Sequence, residues 1–384
     1  MSSVVAGAAR AMTEPLTRRD RRRAEEAEAE AAATPATDTV EKTETAREPE
    51  DDGVGLGEWV RALPDEAMRW ATTVKHASYS FAALRIIYGF IVLLVLITSA
   101  RDRQYLWGIG SRFIDPVATT RDYPVLFEAA FNKSSPIIFD IAYVLLAVFA
   151  LAFMVGFATR LSGALTLIFW MGLSVNSTLL TNGGDTVLRI TLLFALFADL
   201  GGRWSVDAWL RRRGRAPKRP EWMPRTPAWL GPLAHNTALI LCAYQIILIY
   251  VSSAFLKLQG TEWLSGTAVY YSLSLDVFRP FPWLNDLATM WDFPVFALTW
   301  LTILLQLLFP VLLVWRPSRI AALIGITGTH LGIGLFLGLW PFSLAMIALD
   351  FLFVRDSTWI WAIAKGKTTL AQLRKRESVS PEGG

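Results

Sequence analysis

The chain has a single cysteine, Cys242, set inside an apolar run. No disulfide can form within the chain, and no Cys-based metal site can be built, so no metal is expected. Charge is also scarce. Only 18% of the 384 residues are charged, against about 25% in a typical soluble domain. Much of that charge lies in residues 1–69 and 200–225, so the remainder is drier still. What replaces it is apolar: 53% of residues are hydrophobic and the mean hydropathy is +0.38. The 16 tryptophans suit aromatic belts at membrane interfaces. The net charge of +4 sits beside apolar segments, which fits membrane topology and argues against nucleic acid as a partner.

Residues 1–60 have almost no large apolar side chains. Such a stretch cannot bury enough surface to offset its ordering entropy, and is expected to be disordered, with transient helix at 20–33. No apolar stretch follows its arginines closely, so it does not read as a signal peptide.

Eight apolar runs follow, at 78–99, 136–157, 161–181, 185–200, 233–258, 293–315, 319–339 and 341–362. A spanning helix needs about 20 apolar residues. Backbone groups in lipid must pair within the segment, and these runs are too continuous for barrel strands. The expected fold is therefore an all-α integral membrane protein, a polytopic bundle of about eight transmembrane helices. Residues 1–66 read as a cytoplasmic tail, 67–362 as the membrane domain and 363–384 as a second cytoplasmic tail. Pro310 is expected to kink its run. The run at 185–200 is short and charged, and needs neighbours to shield it.

Orientation follows from Lys and Arg in the connections. The 201–232 loop holds Arg203, Arg211, Arg212, Arg213, Arg215, Lys218, Arg219 and Arg225, and so is expected in the cytoplasm. Arg160, Arg316, Arg319 and the C-terminal tail fall on the same side. The 100–135 loop, with Arg101, Arg103, Arg112, Arg121 and Lys133, runs against the pattern but is partly balanced by acids. Both termini are then cytoplasmic, in a multi-pass plasma-membrane protein.

Ionisable groups inside a span are costly and mark function by default. The candidates are Arg85, Asp140, Asp185, Arg189, Asp199, Lys257, His330 and Asp350. Each has a plainer reading. Arg85 can snorkel. Asp185 and Arg189, four apart, can neutralise each other. Asp140 and Asp199 can be boundary residues, and Lys257 a snorkelling lysine. Yet Asp140, Asp185, Arg189, Lys257 and His330 all fall toward the outer half of the bundle, as a water-accessible site would require. After Lys257, Gly260 breaks the helix, Trp263 suits an interfacial anchor, and a short segment carries Tyr270 and Tyr271. A lysine under such a lid would be partly desolvated and able to act as a base. The same aromatics could stack on a quinone ring.

Five stretches together resemble a known family: ALRIIYGF (83–90), MVGFATRLS (154–162), FADLGGRWSVDAWL (197–210), KLQGTEW (257–263) and THLGIGLFLGLWPFSLAMIA (329–348). In this order they resemble the transmembrane domain shared by vitamin K-dependent γ-glutamyl carboxylases and the bacterial horizontally transferred transmembrane (HTTM) proteins, over about 78–354. The resemblance implies a proton-abstracting lysine at Lys257 and a functional histidine at His330. It implies a reduced naphthoquinone, vitamin K- or menaquinol-like, as cofactor; Arg189, Asp185, Trp263 and Tyr270 are the candidate contacts that the residues themselves offer. Two features depart from the carboxylases. Gly184 stands where they have a histidine, and the chain ends about 30 residues after the last helix, where they continue into a peptide-engaging domain. Two functions are expected on these grounds. One is a carboxylase- or epoxidase-like enzyme using a reduced quinone at an outward-facing pocket, with a peptide as a candidate substrate. The other is a non-catalytic protein binding lipid or quinone, or an accessory factor for an exported peptide.

Overall fold

Apolar runs this long have one way to satisfy their backbone in lipid, and they take it. A computed structural model of the chain describes residues 56–110, 131, 135–177, 180–215 and 226–379; the tail expected at 1–55 lies outside them. The chain divides into two units, Met1–Arg61 and Ala62–Gly384. Of the first, only the opening of one helix is described. The described residues hold α-helices and short 3-10 turns and no strand. The helices are α1 (Leu56–Thr73), α2 (Ser78–Thr98), α3 (Arg103–Leu106), α4 (Pro136–Val155), α5 (Thr159–Val175), α6 (Gly183–Ala195) and α7 (Val206–Arg212). They continue as α8 (Leu230–Lys257), α9 (Thr261–Leu264), α10 (Ala268–Ser274), α11 (Pro282–Ala288), α12 (Asp292–Leu312), α13 (Arg316–Leu337), α14 (Trp340–Asp350) and α15 (Asp356–Val379).

Five of these, α2, α4, α8, α12 and α13, are long and apolar enough to cross a membrane. α4 shows why the surroundings must be lipid. Phe139, Ala142, Leu146, Ala150 and Phe153 are buried, while Ile137, Ile141, Val144, Val148 and Leu151 on the opposite side are 50–71% exposed. A helix apolar on both faces has its outer face in an apolar medium.

Two shorter helices complete the interior. α6 and α14 have 13 and 11 residues. α14 packs against α2, α6, α8 and α13, and Ala345–Asp350 are all buried. The apolar run expected at 341–362 is thus divided. It leaves the helix at Asp350 and restarts as α15, because the Asp356 carboxylate accepts the Ser78 and Tyr79 backbone N–H groups and pins the restart to the beginning of α2. Pro310 falls inside the last turn of α12, two residues from its end.

One end of the bundle is tied by polar side chains. Arg85, expected to snorkel, is fully buried instead. Its guanidinium donates to the carbonyls of Leu200 (3.4 Å) and Trp204 (2.6 Å). Asp207 accepts from the backbone of Ala158 and Thr159 and from the Thr159 hydroxyl, at 2.6–2.9 Å. Asp199, expected as a boundary residue, pairs with Lys75 at 2.6 Å. Between these groups lies Gly156, at φ +74°, which ends α4. A Cβ there would sit 1.9 Å from Arg85 Nη1.

Gly156→Ala should therefore lower the thermal midpoint of the detergent-solubilised protein well beyond the effect of Gly338→Ala. Both positions carry a positive φ, at +74° and +71°, but a Cβ at 338 meets only Pro280 at ordinary contact distance. The second variant reports backbone strain alone, about 1–2 kcal/mol. Equal losses would show that the Arg85 contact contributes nothing.

Candidate functional site

The deepest polar cluster joins three helices. Tyr250 of α8 places its hydroxyl 3.0 Å from His330 Nε2 of α13 and 2.9–3.0 Å from both Asp350 carboxylate oxygens of α14. At exposures of 1%, 2% and 0%, all three side chains are buried. A tyrosine hydroxyl has one proton to donate and can also accept. Donation to Asp350 leaves the His330 Nε2–H donating to Tyr250. Donation to His330 requires a proton on Asp350. The cluster is a chain in which one proton shift changes every bond. Its second imidazole nitrogen, His330 Nδ1, is buried without a partner among the described residues. Around it stand aromatic rings: Phe309 edge-on to Tyr250 at 4.8 Å, and Phe342 edge-on to His330 at 5.7 Å.

Lys257 lies seven residues beyond Tyr250, hence on the same face of α8 and about 10 Å further along it. Helical side chains lean toward the N-terminus, and the lysine follows suit. Its Nζ donates to Ser253 Oγ, one turn back, at 2.5 Å and to Gln306 Oε1 of α12 at 2.9 Å. The Trp263 ring covers it, with the centroid 5.1 Å from Nζ. No carboxylate lies within ion-pair distance of it among the described residues. The amine is turned inward, toward neutral oxygen acceptors, whereas a snorkelling lysine points its amine to the headgroups.

The other expected contacts are distributed elsewhere. Asp185 closes a capping box with Asn182 at the start of α6. Arg189 donates to the Asp185 carbonyl, to Thr186 and to the Met171 sulfur. The expected neutralising pair does not form within hydrogen-bond distance, because the cap claims the Asp185 carboxylate. Asp140 pairs with Arg103 and Gln104. Tyr270 is exposed and packs edge-on against Tyr271. The structure thus brings Lys257 and Trp263 together, sets His330 with Tyr250 and Asp350 in the buried cluster, and leaves Asp185, Arg189, Asp140 and Tyr270 with partners of their own. At Gly184 a Cβ would approach Phe342 Cα to 2.8 Å, so this close crossing of α6 and α14 excludes any side chain there, a histidine included.

Two members were not legible as site residues. Tyr250 and Gln306 both sit in apolar runs and carry no charge. The available signal was the seven-residue spacing of Tyr250 from Lys257, which fixes a shared face.

No curated protein and no solved structure matches the chain. The model of the HTTM domain matches residues 75–359, which takes in every helix from α2 to α14 and all the residues of the buried cluster. The chain therefore belongs to the HTTM family.

Proposed function

We propose that this HTTM-family membrane protein is an enzyme that uses a reduced quinone as proton donor, with Lys257 as the base. The observation that carries this reading is the inward-facing Lys257 amine, held by Ser253 and Gln306 without a carboxylate partner. A lysine salt-bridged to a carboxylate would be kept charged; one among neutral acceptors in an apolar bundle can exist as a free amine. The surrounding groups fit a flat ring bearing hydroxyl groups. Trp263, Phe309 and Phe342 offer aromatic faces and edges, and His330 Nδ1 is a buried polar atom in need of a partner. Bound hydroquinone would supply an acidic hydroxyl proton. Lys257 Nζ accepts it. Ser253 and Gln306 then hold the resulting ammonium, and the Trp263 ring stabilises it by a cation–π contact. His330, backed by Tyr250 and Asp350, orients the second polar edge. The carboxylase- or epoxidase-like chemistry of the family resemblance, and a peptide substrate, belong to the same proposal.

A non-catalytic role, as a quinone- or lipid-binding protein or an accessory factor for an exported peptide, is the second reading. It is favoured by Gly184, whose tight contact with Phe342 removes the histidine of the carboxylase pattern.

The test is quinol-dependent oxygen consumption by the reconstituted protein, measured beside equilibrium binding of a short-chain naphthoquinol. Lys257→Arg and Lys257→Met should each lose about 10²-fold or more in rate, the usual contribution of a general base. Both should still bind the quinol, since the aromatic surround is intact. A wild-type rate from the arginine variant would leave only a positive anchor, because guanidinium cannot take up a proton at neutral pH.

The orientation belongs to this proposal as well: a plasma-membrane protein with both termini and the 201–232 loop in the cytoplasm. In a Cys242→Ala background, Gly183→Cys and Ser265→Cys, both at exposed positions, should react in intact cells with a membrane-impermeant thiol reagent. Arg215→Cys should react only after lysis. Labelling at 215 in intact cells would turn the Lys257 end inward.

A further inference from the structure

At the end of the bundle opposite Lys257, the Arg85-tied end contains a cavity of about 460 Å³ with no part in the chemistry above. Its walls include Lys75, Thr159, Arg160, Asp199, Asp207 and Arg211. Three cations face two carboxylates, but the carboxylates are already engaged. Asp199 accepts from Lys75, and Asp207 accepts from the first N–H groups of α5 and from Thr159. Capping by Asp207 also means that the α5 N-terminus is closed to an external anion. The guanidinium of Arg211 is anchored through Nη2 alone, to the Gly201 carbonyl. Arg160 is exposed and has no hydrogen bond or ion pair with any described residue. Two guanidinium groups therefore present unused donors to one hollow, and guanidinium matches phosphate geometry through paired N–H donors.

The surroundings of the hollow are apolar. Leu161 in its wall is 63% exposed. A second hollow, of about 540 Å³ and carried on the same α4 end and α7 segment, is lined by Val155, Trp204, Ser205, Val206, Trp209 and Arg212. Val155, Trp204 and Trp209 are each 41% exposed. Two tryptophans beside Val155, the last residue of the spanning helix α4, suit the headgroup layer. Basic pockets between spanning helices on such a face take acidic lipid headgroups.

We propose that the cavity between α5, α7 and the Lys75–Asp199 pair is a binding site for the phosphate of an anionic glycerophospholipid. Arg160 and Arg211 grip the phosphate. The acyl chains lie against Leu161, Val155, Trp204 and Trp209. Lys75 and Asp199 form the inner wall, and the excess of one positive charge selects an acidic headgroup over a zwitterionic one.

The experiment uses the full-length protein in nanodiscs of phosphatidylcholine doped with phosphatidylglycerol, with retained lipid counted by native mass spectrometry. Wild type should retain phosphatidylglycerol in preference to phosphatidylcholine. Arg160→Gln should weaken that retention about tenfold, the effect of one charge-assisted hydrogen bond. Arg160→Gln combined with Arg211→Gln should abolish it. Arg215→Gln with Arg316→Gln removes the same charge at exposed positions outside the cavity and should leave retention unchanged. Because Arg160 makes no bond with any described residue, its single variant keeps the fold and decides the matter even if the Arg211 change unfolds the segment. Equal losses in the two double variants would overturn the site and leave bulk surface charge. Displacement of the lipid by inorganic phosphate would overturn the lipid and leave a free-phosphate site. Absence of any preference in wild type would overturn both.

Discussion

A polar group inside a lipid-embedded bundle has no water to fall back on, so it must find its partner within the protein. Two side chains with 0% exposure, Arg85 and Asp350, set the terms of this structure. Each could lie where it does only if other helices brought groups to it. Arg85 recruits the carbonyls of the turn after α6 and thereby fixes where α4, α6 and α7 meet. Asp350 recruits Tyr250, and through it His330, and so fixes how α8, α13 and α14 register against one another. The short helix α14 is tolerable in a membrane because α2, α6, α8 and α13 surround it and Ala345–Asp350 are buried.

The two polar knots divide the family motifs between them. The stretches at 83–90, 154–162 and 197–210 contribute Arg85, Gly156, Thr159 and Asp207 and meet at one end. Their role is architectural, with a lipid headgroup as the ligand proposed for that face. The stretch at 257–263 contributes Lys257 and Trp263, which meet at the other end of α8, and the stretch at 329–348 contributes His330, which meets Tyr250 one segment further in. Chemistry is proposed there. The departure at Gly184 lies on the second side, where Phe342 has taken the space a side chain would need.

The helices were legible in the sequence because hydropathy over 20 residues is a local property. α2, α4, α8, α12 and α13 begin and end within about three residues of their apolar runs. What hydropathy could not give was pairing. Arg85 reads as a lysine-like snorkeler because nothing nearby in sequence can bond it; its partners lie more than 100 residues away. Asp185 and Arg189 read as a pair because spacing of four favours one, but the Asn182 cap competes locally and wins. The division of the last run at Asp350 depends on Asp356 reaching α2, again a tertiary event. Lys257 stood out because the break after it is local. Tyr250 did not, since a tyrosine among Ile and Leu has no signature of its own until His330 and Asp350 are placed beside it.

The central claim is that the interior between α8, α12 and α13, under Trp263, receives the quinone. It is tested most directly by cross-linking with a photoactivatable naphthoquinone in native membranes, followed by peptide mapping. The expected adducts fall on Tyr250–Lys257 of α8, on the Gln306–Phe309 turn of α12 and around His330 of α13, and an excess of unlabelled quinone suppresses them. Adducts confined to the lipid-facing rows of α4, unaffected by competitor, would contradict the claim and show the quinone to be a solute of the bilayer alone.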